Sequence, residues 1–137
     1  MGCDVHGWFE IKINGTWYAY SQLSFNRNYD LFAKMAGVRN YNGIDPIAPP
    51  RGLPADISVV TAIYAKMWKV DGHSWSWLNA REIKELYQFH VNFSNMPRWK
   101  LVEEWGYLFD HEWSSFIDNK CRFEPVEDIR MVFWFDN

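Results

Sequence analysis

The sequence is poor in cysteine, in long apolar runs and in basic clusters, and each shortage removes a class of protein. Only two cysteines, Cys3 and Cys121, occur among 137 residues, and no CxxC pair is present. Two thiols so far apart make no disulfide framework, so a reducing cytoplasm is the expected compartment. No stretch reaches the roughly 20 apolar residues of a membrane span, and the first residues lack the charged-then-apolar pattern of a secretory signal. Met1-Gly2-Cys3 invites N-myristoylation, but His6 stands where that modification wants Ser or Thr. The formal net charge is −3 and Lys and Arg form no run. A nucleic-acid polymer needs a basic face to displace its counterions, so that partner is excluded, whereas a small anion needs only two or three placed cations. P-loop, GxGxxG, GxSxG and HExxH motifs are absent as well, which removes the commonest nucleotide enzymes.

Aromatic residues are in surplus: nine Trp, ten Phe and seven Tyr make up 19% of the chain. Trp and Tyr beyond the needs of a core supply rigid contact area for a ligand pocket or a subunit interface, and a homo-oligomer is expected.

The chain is read as a single domain, 1–137, of the α+β class. A small antiparallel sheet, formed by an N-terminal hairpin and a C-terminal strand, is expected to pack with about four helices. Val5 to Ile13 alternates as a strand, with Val5, Phe9 and Ile11 on one face and Asp4, His6, Trp8 and Glu10 on the other. Asn14-Gly15 is a hairpin turn, and Thr16 to Tyr20 returns. Ile129 to Phe135 is apolar throughout except Arg130 and suits a strand buried beside the hairpin. Tyr29 to Ala36 is a short helix stopped by Gly37. Residues 40–56 are too rich in proline for regular structure. Ser58 caps a helix to about Lys69, whose apolar side is expected to be Val59, Val60, Ile63, Tyr64 and Met67. Asn79 and Glu82 form a capping box for a helix through Phe89. Pro97 opens a fourth, with Trp99, Val102, Trp105 and Phe109 inward and Arg98, Lys100, Glu103 and Glu104 toward water.

Asp-x-His occurs twice, as Asp4-Val5-His6 and Asp71-Gly72-His73. Residues two apart on a strand share a face, so Asp4 and His6 can converge on one atom. Asp71 and His73 are expected in a polar loop. Two carboxylates and two imidazoles suit acid–base catalysis or a divalent metal, although no cofactor is required by any motif. Cys3 beside His6 is a candidate thiolate, whereas His90 and His111 read as ordinary. The segment Asp71-Gly72-His73-Ser74-Trp75-Ser76-Trp77 places small polar groups and two indoles just before a capped helix. That arrangement offers an anion site with Trp75 or Trp77 to stack on a base. Arg27, Arg39 and Arg51 fall in loops, and Arg51 lies within Pro49-Pro50-Arg51-Gly52-Leu53-Pro54, held for bidentate phosphate contact.

The opening Met1-Gly2-Cys3-Asp4-Val5-His6 resembles the MGCD-x-H start of a family of small phage and bacterial proteins. The likeness continues in Arg27–Phe32, Ala36-Gly37-Val38-Arg39-Asn40, Pro50-Arg51-Gly52-Leu53-Pro54, Gly72–Leu78 and Arg130–Asn137. It brings no catalytic assignment. The phage association implies a counter-defence role in the host cytoplasm, in which a small nucleotide immune signal is sequestered or cleaved.

The leading expectation is therefore a protein that binds a phosphate-bearing nucleotide through Cys3, Asp4, His6, Arg39, Asn40, Arg51, Asp71, His73, Ser74, Ser76 and Trp77. The alternative is a phosphodiesterase using Asp4, His6, Asp71 and His73 as acid and base or as metal ligands. A third is a protein-interaction module that docks through its Trp residues.

Overall fold

A computed structural model describes residues 2–106 and 128–136. Phe109, His111 and Cys121 therefore lie outside the described residues. The hairpin strands are β1 (Val5–Ile13) and β2 (Thr16–Gln22). Asn14 and Gly15 take φ of 51° and 81°. Two successive left-handed residues are what a type I′ turn requires. Helix α1 (Tyr29–Ala36) is capped by the Asn28 side chain, which accepts from the Leu31 N–H, and ends at Gly37 with φ 74°. Helix α2 (Val59–Met67) starts at Ser58, whose hydroxyl accepts from the Thr61 N–H at 3.3 Å. Strand β3 (Gly72–Asn79) runs directly into α3 (Ala80–Ser94) through the Asn79–Glu82 capping box. Helix α4 (Arg98–Trp105) follows Pro97, and β4 (Ile129–Asp136) closes the sheet.

The sheet is antiparallel throughout, in the order β2-β1-β4-β3. It has four strands where three were expected, because Asp71–Trp77 is mostly strand and not loop. Short polar side chains weigh against a strand by propensity, but pairing with the apolar β4 overrides them. β4 lies at the centre, paired with β1 and β3, and Met131 to Phe135 are all buried. Gly7 is obligatory at the β1–β4 contact. Its φ is 154°, and a Cβ there would run into the Val132 carbonyl and Phe133.

Register sorts the side chains into two layers. Val5, Gly7 and Phe9 oppose Phe135, Phe133 and Met131. This face forms the main core with α1, α3 and α4, including Leu31, Phe32, Met35, Ile83, Leu86 and Trp105. On the other face His6, Trp8 and Glu10 oppose Trp134, Val132 and Arg130. Helix α2 covers that second face, stacking Trp68 on His6 with ring centroids 4.0 Å apart and setting Tyr64 edge-on to Trp8.

Two helices turn differently from their sequence pattern. In α2 the buried residues are Thr61 and Ala65, while Val59, Val60, Ile63 and Met67 face outward. The helix lies on a layer of rings, and small residues allow it to sit close. In α4 Trp99 is exposed and Glu104 is buried. Glu104 accepts the Asn26 N–H at 2.7 Å, which gives the carboxylate a partner that water would otherwise supply.

Arg130 is the exception in the apolar run, and it ties four segments together. Its Nε donates to Glu10 at 2.7 Å, its Nη1 to Asp56 at 2.8 Å and its Nη2 to the Asp56 carbonyl at 3.1 Å. The guanidinium also lies 4.0 Å from the Trp17 ring centroid of β2. Glu10 is fully buried, and its second oxygen accepts the Ser58 N–H at 3.0 Å, fixing the start of α2. Removing one partner of such a pair leaves an uncompensated buried charge. Arg130→Met should therefore lower unfolding free energy by roughly 3–5 kcal/mol in urea titrations. A loss under about 1 kcal/mol would show that the pair carries little.

A second buried polar pair sits between α3 and α4. His90 is 1% exposed, its Nδ1 accepts the Trp105 indole N–H at 2.8 Å, and its Nε2 stands 3.8 Å from Glu104. Burial pushes the imidazole down to about 4 and pushes Glu104 up. The folded protein therefore holds His90 neutral. Its contribution to stability is complete above the ordinary value of 6.5 and is lost as pH falls through about 4. Glu104 has the opposite sign, its contribution lost as pH rises through its raised value. His90→Gln keeps an acceptor for Trp105 and removes the titration. Between pH 6.5 and 4, wild type should lose roughly 3 kcal/mol more than this variant in denaturant melts. Parallel curves would contradict the buried neutral imidazole.

Candidate functional site

The predicted site residues separate into four places. Cys3, Asp4 and His6 stand at one end of the sheet, joined by Asp136 from the end of β4. The Asp4 N–H donates to Asp136 Oδ1 at 3.0 Å, and His6 Nε2 lies 2.7 Å from Asp136 Oδ2. Asp4 is also gripped by Arg27, whose Nε and Nη2 donate at 3.1 and 2.9 Å. The Arg27 fork holds the Asp4 carboxyl below the usual carboxylate range. Cys3 is fully buried in the core and its N–H donates to the Tyr29 hydroxyl at 3.2 Å. Burial pushes its thiol up, the direction opposite to the activation a nucleophile needs. Arg39 reaches the same end, where it stacks on Tyr29 and donates to the Tyr41 hydroxyl at 3.2 Å.

Asp71 and His73 do not join this group. His73 opposes Phe135 on the core face, whereas His6 opposes Trp134 on the other, so the two Asp-x-His copies are split by the sheet. Asp71 is exposed, and the His73 Nδ1 pairs with the Ser74 hydroxyl at 3.0 Å. Among the described residues no three His, Cys, Asp or Glu side chains are arranged to hold a metal ion. Asn40 folds back on its own loop, bonding the Ile44 carbonyl at 2.6 Å and the Ile44 N–H at 2.8 Å.

Arg51, Ser76 and Trp77 do come together, as a clamp. The Arg51 fork donates to both oxygens of Glu82 at 2.7 and 2.6 Å, and Nη1 reaches the Trp77 carbonyl at 2.9 Å. The guanidinium lies 4.7 Å from the Trp77 ring, and the Arg51 N–H donates to the Ser76 hydroxyl at 3.1 Å. Burial raises Glu82, but the Arg51 hydrogen bonds and the Asn79 N–H outweigh it and hold the carboxyl low. In this structure the guanidinium is engaged by Glu82 and the Trp77 carbonyl. Its role is to pin the proline-rich loop along β3, where the Gly52 N–H also bonds the Trp75 carbonyl at 2.7 Å.

That pinning builds a concavity the sequence did not announce. It is an open groove of about 370 Å³ lined by Leu53, Ile57, Ala62, Ala65, Lys66, Lys69 and Trp75. Leu53 and Ile57 come from the pinned loop and the alanines from α2, whose short side chains leave the space. Trp75 enters because β3 is irregular. The register shifts between His73 and Ser76, and Ser74 takes φ 55°. One extra residue re-aims the next side chain, so His73 stays beside Phe135 while Trp75 lies against Trp134, ring centroids 5.3 Å apart. Gly72 makes room for it, since a Cβ there would meet the Trp75 ring at 2.5 Å. Lys66 near the end of α2 and Lys69 just past its C-cap Trp68 both line the groove. Among the described residues neither has a carboxylate within ion-pair distance.

Sequence reasoning named Trp75 as a stacking candidate but missed the lysines, the alanines, Leu53 and Asp136. Lys66 and Lys69 carried a signal, their i, i+3 spacing, but it had no meaning until α2's orientation was known. Asp136 carried none, because its link to His6 depends on strand register. Among the described residues no helix is long and apolar enough to cross a membrane. Comparison with protein-family models, with curated proteins and with solved structures gives no match.

Proposed function

We propose that the protein binds a small anionic aromatic ligand of the nucleotide class in the groove between α2, the proline-rich loop and β3. The observation that supports this most is that one indole, Trp75, and two lysines without a carboxylate partner among the described residues, Lys66 and Lys69, line one otherwise apolar groove. A planar base gains stacking energy on the indole, on the order of 1–3 kcal/mol. Phosphate oxygens gain charge-assisted hydrogen bonds from the lysines. A cavity of about 370 Å³ suits a mononucleotide-sized ligand, near the lower end of small-molecule sites. Of the two stacking candidates in the sequence, Trp75 and Trp77, this reading takes Trp75, and it gives the charge role expected of Arg39 and Arg51 to Lys66 and Lys69. Sequestration of a nucleotide signal, the counter-defence setting suggested by the phage-like opening, is the biological form of this reading.

A hydrolytic reading draws on one observation, the His6–Asp136 pair at 2.7 Å. An Asp that orients an imidazole is a frequent general-base arrangement. The stacked Trp68 ring covers His6 on the α2 side, and the nearby Cys3 thiol is buried and pushed up.

The test incubates the purified chain with a panel of linear and cyclic nucleotides, then heats it and chromatographs the supernatant. Depletion before heating and intact recovery afterwards is the expected result. New product peaks would instead establish cleavage. The double variant Lys66→Glu/Lys69→Glu, both exposed, should lower affinity at least tenfold, or about 1.4 kcal/mol, with the melting curve unchanged. Unaltered affinity in that variant would remove the groove from consideration.

A further inference from the structure

Helix α2 has three faces at about 100° per residue. Thr61, Tyr64 and the C-cap Trp68 lie on the sheet, while Ala62, Ala65 and Lys66, with Lys69 just past the helix, line the groove. The third face is apolar and open to solvent, with Val59 at 74%, Ile63 at 55% and Met67 at 73% exposure, extended by Val70 at 92%. These side chains and Val60 expose on the order of 500 Å², at the upper end of the patches that monomers leave uncovered. With the lysine stems and Leu53 at its edge, the surface approaches the roughly 800 Å² per partner of a standard interface.

We infer that this face pairs with the same face of a second copy, the two α2 helices antiparallel about a two-fold axis at Ile63. The sequence around Ile63 is self-complementary under that operation. Val59 and Met67 are equidistant from it, so each valine meets the methionine of the other copy and every contact is made twice. Charge is compatible with the same symmetry. Helix α2 carries Lys66 and no acidic residue, while Asp56, whose carboxylate accepts from Arg130 yet whose side chain stays 67% exposed, precedes its first turn. Antiparallel pairing lays the Lys66–Lys69 end of one helix beside Asp56 of the other, whereas a parallel pair would set lysine against lysine. The apolar face borders the groove along Lys66, so the second copy also walls the open side of the site. That last consequence rests on the groove reading, while the pairing itself does not.

Sedimentation equilibrium of the full chain at micromolar concentrations tests it. The expected result is twice the chain mass for wild type and a single chain mass for Ile63→Glu and for Met67→Glu. Both positions are exposed, so the circular dichroism of the variants should match wild type. In a Cys121→Ser background, mild oxidation should link Ile63→Cys into a covalent dimer and leave Val70→Cys unlinked. A monomeric wild type, a dimer that survives both glutamates, or equal linking of both cysteine variants would overturn the proposal. Nucleotide binding by a monomeric wild type would leave the groove reading standing without the pairing.

Discussion

One buried guanidinium decides where everything on the second face of the sheet can lie. Arg130 sits in the central strand, where a charge must be fully compensated, and its partners are drawn from β1, from the loop before α2 and from β2. Glu10 passes the constraint on by accepting the Ser58 N–H, so the first turn of α2 is set by a carboxylate inside the sheet. The other end of α2 is set by the Trp68–His6 stack and by the Trp68 carbonyl, which accepts the Gly72 N–H at 2.6 Å. With both ends fixed, the helix cannot roll, and its groove-lining, sheet-facing and solvent-facing residues are determined together.

The loop is held by the same logic. Arg51 and Glu82 form a fork-to-fork pair whose geometry is specific, and Glu82 is already fixed by its capping box with Asn79. The loop is thus anchored to a helix start and not to a mobile side chain. Leu53 and Ile57 face α2 across a gap that alanines leave unfilled. Arg51, which resembles an anion ligand in the sequence, is engaged by Glu82, whereas Lys66 and Lys69 have no carboxylate partner among the described residues.

Much of the fold was legible in local signals. Asn14-Gly15, Asn28 with Gly37, Ser58 and the Asn79–Glu82 box each specify backbone geometry through their own hydrogen bonds or φ preferences, so the hairpin and the helix starts could be read directly. Strand β3 could not, because Gly72–Trp77 is a strand only by virtue of its pairing with β4. Helix α2 misled for a related reason: its apolar stripe looks like a core face, but burial is decided by the ring layer beneath it and by charge partners far away in sequence. The candidate site inherits this division. Trp75 was visible as a stacking residue, whereas the bulge that aims it, the alanines that make space and the side of the helix carrying Lys66 and Lys69 are tertiary facts.

On the proposed reading, ligand binding belongs to the α2–β3 groove and not to the polar end of the sheet. A heteronuclear NMR titration of the isotope-labelled chain with a mononucleotide tests it most directly. Saturable shifts at the Trp75 indole and at the amides of Ala62, Lys66 and Lys69, with Asp4, His6 and Asp136 unmoved, are the predicted result. Shifts confined to Asp4, His6 and Asp136, or no saturable shift with any nucleotide, would contradict it.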